Sequence, residues 1–150
     1  MKHFIISIIL LLSSVTLEAR VTVSSASYQQ FIEHGKRKWV PTTKVIPGTI
    51  VLYINTISNK TAKIAKNLVI DNAIPKEMAY IRNSTKSKLR AKVRYSVNNG
   101  KSYNTPNRLY IKKRGKRVKA KASDYTNIRW IISKLNPNKK TVVQYRAKLR

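Results

Sequence analysis

No cysteine occurs anywhere in the 150 residues, which excludes disulfide bridges, thiolate metal sites and lipid attachment at a cleavage-site cysteine together. Glycine is scarce too, and four residues are too few for a phosphate-cradling glycine loop. The most informative shortage is of acids: 32 Lys and Arg stand against 5 Asp and Glu, for a net charge of +27 at pH 7. An AT-rich genome would account for many lysines, but it would not remove the codons for aspartate and glutamate.

These shortages also bear on catalysis. Histidine occurs at His3 and His34 only, and a lone loop histidine is a poor base. Serine nucleophiles need a base and an orienting acid, and no G-x-S-x-G element is present. Glycosidase chemistry needs two facing carboxylates, whereas Glu33, Asp71, Glu77 and Asp124 are scattered and bracketed by lysines. Calcium wants several oxygen ligands close together, and nothing in the spacing supplies them. The expectation is a non-enzyme with no cofactor and no metal.

Lys2 followed by the apolar run Phe4 to Leu12, broken only by Ser7, and then by Leu17, Glu18 and Ala19, has the layout of a secretory signal peptide over residues 1–19. The run is short for a bilayer, and no second run of about 18 apolar residues follows, so a retained spanning helix is the weaker reading. Cleavage removes one base, Lys2, and one acid, Glu18, and leaves the excess charge unchanged. Residues 20–150 fit a single domain that can bury a core without disulfides. The expected location is outside the cytoplasm, whether periplasm, cell surface or medium.

Strand patterns dominate that domain. Thr49 to Ser58 alternates β-branched and aromatic residues between the turn at Pro47 and Gly48 and the turn from Ser58 to Lys60. Asn67 to Ile70 and Met78 to Ile81 read as short strands around a loop from Asn72 to Lys76. Arg90 to Val97 runs into a tight turn at Asn98, Asn99 and Gly100, after which Ser102 to Asn104 pairs back. Leu109 to Lys112 and Val118 to Ala122 flank a turn at Arg114 and Gly115, and Asn127 to Ser133 and Thr141 to Leu149 are joined through Pro137. Upstream, Tyr28 to Ile32 and Lys38 to Val40 add two more. About eight or nine short antiparallel strands predict an all-β sandwich of the immunoglobulin-like type.

The segment from Val45 to Ile81 resembles the opening of the bacterial conserved repeat domain, domain of unknown function eleven. Its Pro-Gly turn is at Pro47 and Gly48, its asparagine turn at Asn59, its Val, Asp and Pro element at Val69, Asp71, Ile74 and Pro75, and its aromatic strand at Tyr80. SVNNGKSY from Ser96, DYTNIRW from Asp124 and the turn from Leu135 to Pro137 are similar to its later motifs. The resemblance covers nearly all of residues 20–150 and implies an immunoglobulin-like module of exported or surface proteins, commonly tandem and non-catalytic. Two departures stand out: Asn138 follows Pro137 where the family often has glycine, and a single copy without a wall-anchoring tail does not carry over the role of a tandem stalk.

For the core, Ile128, Trp130 and Ile132 share one strand face, as do Val143, Tyr145, Ala147 and Leu149. With Trp130, the face of Ile50, Leu52 and Ile54 is expected to be a main contributor, at roughly 1.5–3 kcal/mol per large buried side chain. Asp71 reads as a turn or backbone-capping carboxylate.

The candidate site residues are patterned cations. Lys86, Lys88, Arg90, Lys92 and Arg94 alternate with small or apolar residues, so one extended strand sets all five on one face, about 6.6–6.8 Å apart. Arg117, Lys119 and Lys121 repeat the design, as do Arg146, Lys148 and Arg150. Solvated, edge-protecting lysines give the same alternation, but such faces ordinarily mix signs. The chain as a whole therefore points to an anionic envelope partner: acidic polysaccharide, lipopolysaccharide, a phospholipid surface without spanning, or an acidic protein. Nucleic acid is the alternative, with Tyr95, Tyr103 and Tyr110 near the basic stretches for stacking. A structural module that pairs through a sheet edge is the third reading.

Overall fold

The computed structural model describes residues 21–150, and the leader expected at 1–19 lies outside the described residues. Eleven strands follow one another: β1 (Val21–Glu33), β2 (Lys36–Pro41), β3 (Ile50–Asn59), β4 (Ala65–Ala73), β5 (Met78–Tyr80), β6 (Lys86–Ser87), β7 (Ala91–Ser96), β8 (Tyr110–Lys113), β9 (Lys116–Lys119), β10 (Asn127–Leu135) and β11 (Lys140–Leu149). Two short 3-10 turns, Pro106–Arg108 and Ala122–Asp124, are the only helical segments among the described residues. The described residues are all-β, and every strand pairing among them is antiparallel.

The larger sheet runs β2-β1-β3-β11-β5, with β6 also on β11, and the smaller runs β4-β10-β7. β8 and β9 form a separate two-stranded hairpin. The expected strand from Ser102 to Asn104 shrinks to a single bridge between Tyr95 and Asn104. Turn chemistry follows the side chains: Asn99 and Gly100 take φ of +57° and +80°, and Asn138 takes +54°, the left-handed conformation that asparagine tolerates. His34–Gly35 and Arg114–Gly115 both have positive φ at two successive residues, the twist that matches two-residue hairpins, and in each the glycine supplies the second position without steric cost.

The inner faces of the two sheets share one core. Ile128, Trp130 and Ile132 of β10 and Val143, Tyr145 and Ala147 of β11 are buried on the faces that alternation predicts, while Leu149 is half-buried. β3 is a correction. Its inward residues are Val51, Tyr53, Asn55, Ile57 and Asn59, and Ile50, Leu52 and Ile54 lie on the opposite face, beside Lys148, Arg146 and Gln144 of β11, where Leu52 alone of the three is buried. Both faces of this central strand are apolar at most positions, and the inner one carries two asparagines, so alternation alone pointed the wrong way. The asparagines are satisfied in place: Asn59 donates from Nδ2 to the carbonyls of Lys63 (2.7 Å) and Leu135 (3.0 Å) and accepts from the Thr61 hydroxyl (2.8 Å). That ties the end of β3 to the β10–β11 turn.

Aromatic rings bridge the sheets. Trp130 of the smaller sheet lies 6.1 Å from Tyr145 of the larger, and Tyr145 stacks on Tyr53 at 4.9 Å. Tyr80 of β5 meets Tyr95 of β7 at 5.4 Å and Tyr125 at 5.7 Å, with the Tyr80 and Tyr95 hydroxyls 3.2 Å apart. Burial pushes Tyr95 and Tyr145 well above the usual phenol range.

Two outcomes follow from this packing. Ile57→Ala should cost about 2–5 kcal/mol in denaturant unfolding and Ile50→Ala less than half as much; a larger cost at Ile50 would reverse the assignment of faces. The raised tyrosines favour the folded state while unfolded phenols stay protonated, below about pH 10, and that share is lost as pH rises beyond it. Tyr95 and Tyr145 should therefore ionise in one cooperative step with alkaline unfolding, read by tyrosinate absorbance, and a gradual titration of a folded protein would contradict this.

Candidate anion-binding surface

The three cation ladders do not share a face. The five-residue ladder expected on one strand is divided between sheets. Lys86 lies on β6 opposite Gln144, on the outer face of the larger sheet. Lys88 and Arg90 occupy the crossover, where the Lys88 amide donates to the Val142 carbonyl at 2.9 Å. Lys92 and Arg94 stand on β7, opposite Ile131 and Arg129 on the outer face of the smaller sheet. A period-two pattern does not register a hand-over from one sheet to another, and Ser87 to Arg90 contains no Gly, Pro, Asn or Asp to mark it.

On β11 the alternation holds. Arg146 and Lys148 sit on the outer face of the larger sheet, and Arg150, past the strand end, donates from Nη2 to the Ser123 carbonyl at 2.7 Å. Arg117 and Lys119 lie on β9, and Lys121 in the turn after it, where its amide donates to Asp124 Oδ2 at 2.8 Å.

The smaller sheet neutralises part of its own charge. Asp71, rather than capping a turn, lies mid-strand on β4 opposite Arg129 and accepts from its Nε and Nη2, both at 2.7 Å. This bidentate pair pushes the guanidinium pKa upward, mainly through the hydrogen bond to the carboxylate. Arg129 also covers the Tyr103 ring at 3.8 Å. Glu33 is bonded by Lys38 across the β1–β2 hairpin. Among the described residues no three His, Asp or Glu side chains cluster as a metal site, and no helix is long and apolar enough to cross a membrane.

The densest uncompensated charge is on the β8–β9 hairpin. From Arg108 to Lys121 the chain carries Lys112, Lys113, Arg114, Lys116, Arg117 and Lys119 between those two, without one acid. Register sets Lys112 opposite Arg117 and Lys113 opposite Lys116, so like charges face each other directly, an arrangement that destabilises a hairpin. Burial of Leu109 and Ala120 at its root, joined by the Ala120 N–H to Leu109 carbonyl bond at 2.9 Å, anchors it to the core. Arg117 lies over the exposed Tyr110 ring at 4.1 Å. At the root a cleft of about 490 Å³ is lined by Arg82, Lys119 and Lys121 with Asn107, Pro106 and Tyr125. Burial raises the Tyr125 pKa while Arg82 opposes the rise.

A second group forms at the opposite end of β10, where Arg90 lines one depression with Lys134, Lys139 and Lys140 and another with Lys92. Sequence reading found Arg117, Lys119 and Lys121 but passed over Lys112, Lys113 and Lys116, and Arg82, which joins them only through the fold. The stacking role considered for Tyr95 is overturned, because its ring is in the core. No family model matches the chain, and no curated protein or solved structure does either.

Replacing Lys112 by Glu converts a repulsive cross-strand pair into an attractive one. The hairpin should gain about 0.2–1 kcal/mol at low salt, seen as slower amide exchange over Tyr110–Lys119. Unchanged or faster exchange would show that repulsion is not a feature of the hairpin.

Proposed function

We propose that this protein is an exported, non-enzymatic module of the bacterial envelope that binds anionic polymers, such as acidic polysaccharide, lipopolysaccharide or a phospholipid surface. The observation that carries the reading is the β8–β9 hairpin, where directly opposed cations have no acid to relieve them. Such a hairpin is less stable alone than one of mixed sign, and a polyanion laid along it removes that cost. The cleft at its root adds Arg82 and Lys121 to the same basic area.

The non-enzymatic part rests on how three of the four acids in the described residues are engaged, Glu33 with Lys38, Asp71 with Arg129 and Asp124 with the Lys121 amide, which leaves Glu77 as a single carboxylate without a second to work with. His34 stands in an exposed turn, and its neighbour Glu33 is bonded to Lys38. Two sheets around one aromatic core are compatible with an immunoglobulin-like sandwich related to the conserved repeat domain. Location outside the cytoplasm follows from the signal-like residues 1–19. Nucleic-acid phosphates would meet the same cations, but base stacking is disfavoured: Tyr95 is buried, and Tyr103 and Tyr110 each lie under a guanidinium.

The chain should be retained on heparin and on immobilised lipopolysaccharide at low salt and released as salt rises. Charge reversal at Lys112, Arg117 and Lys119 together should weaken retention by about tenfold or more. No retention at low salt, or full retention by the reversed variant, would overturn the reading.

A further inference from the structure

The β1–β2 hairpin outgrows the sheet that supports it. β1 pairs with β3 only as far as Gln29, while its pairing with β2 continues to Glu33 and Lys36. Four residues on each strand therefore stand clear of β3, a projection of about 13 Å. This arm exposes large apolar side chains that a soluble surface does not need: Phe31 is 50 % exposed, Ile32 63 % and Trp39 38 %. Register puts Ile32 and Trp39 on one face and Phe31 on the other, so the arm is apolar on both sides. Lys36, Arg37 and Lys38 follow its tip, with Glu33 the single acid among them and already bonded to Lys38.

The position of the arm matters as much as its composition. It leaves the larger sheet where β11 finishes, since Gln29 pairs with Val51 and Val51 with Ala147. At that same end Arg150 bonds Ser123, in the turn that follows the basic β8–β9 hairpin. One end of the molecule thus carries an apolar, aromatic arm and the root of the most cationic one, which itself exposes Tyr110 and Val118.

We infer that this end docks on an anionic lipid bilayer, with Phe31, Ile32 and Trp39 entering the interface while the hairpin cations hold headgroup phosphates. The inference rests on the anionic-polymer reading above and narrows the partner to a lipid surface. A soluble polyanion offers charge but nothing for phenylalanine and isoleucine to enter. A protein groove selects one face of a hairpin, whereas apolar residues on both faces suit a fluid phase that surrounds the arm. Tryptophan is favoured at membrane–water interfaces, and each nearby Lys or Arg adds attraction to anionic lipid.

The test compares the whole chain with its Phe31→Ser, Ile32→Ser, Trp39→Ser variant on vesicles of phosphatidylglycerol, on vesicles of phosphatidylcholine, and on heparin. Residues 1–20 are common to both proteins, so the difference between them reads the arm. The parent should bind the anionic vesicles with a blue shift in tryptophan emission, which only Trp39 can supply because Trp130 is already buried. The variant, its fold checked by circular dichroism and Trp130 emission, should bind those vesicles about tenfold or more weakly and keep its heparin retention. Trp39→Phe should retain vesicle binding and lose the blue shift. Equal vesicle binding by parent and triple variant, or preference of neither for anionic over neutral lipid, with heparin retention intact, would overturn the lipid inference alone. Failure of the parent on heparin as well would overturn the anionic-polymer reading beneath it.

Discussion

The contact between Trp130 and Tyr145 is the interaction on which the rest of the molecule depends. With no cysteine to join the sheets, their registry relies on packing, and this pair brings the central strand of the smaller sheet against β11 of the larger. Tyr53, Tyr80, Tyr95 and Tyr125 extend the aromatic layer toward the end where β10 begins. Large rings suit this task because each brings much apolar area, and buried hydroxyls such as those of Tyr80, Tyr95 and Thr85 satisfy one another. Asn59 performs the corresponding service at the far end through three backbone carbonyls.

Because that core fixes the sheets, their surfaces are free to carry an unbalanced charge. The imbalance is not uniform. Asp71 and Arg129 offset one another on the smaller sheet, whereas the β8–β9 hairpin has only cations and is held at its root by Leu109 and Ala120. A two-stranded hairpin is marginal by itself, so the root contacts let a repulsive sequence persist in one shape. Structure and the proposed anion binding thereby make opposite demands on Lys112: a glutamate there suits the hairpin, and a lysine suits an anion.

Much of the strand layout was legible because period-two alternation and turn residues agree, as at Asn99–Gly100, Arg114–Gly115 and Asn138. The faces of β10 and β11 were legible too, since each has one apolar side. β3 was not, because a central strand with Ile on both faces and Asn on the buried one defeats a pattern argument. The Lys86 to Arg94 ladder failed for a different reason: alternation is local, and the passage from β6 to β7 is a property of the whole fold. Arg82 was invisible for the same cause, reaching the Lys119 and Lys121 cleft from a distant loop. Asp71 was misread because its partner, Arg129, is a cross-strand neighbour far along the chain.

The central claim is that the β8–β9 hairpin, and not positive charge in general, is the anion-binding element. The most direct measurement is the set of backbone amide shifts produced by adding a short heparin oligosaccharide to the isotopically labelled chain. Shifts concentrated in Tyr110–Lys119, Lys121 and Arg82 are the predicted result. Shifts spread evenly over every lysine-bearing strand, or confined to the cations around Arg90 at the other end of β10, would contradict the account.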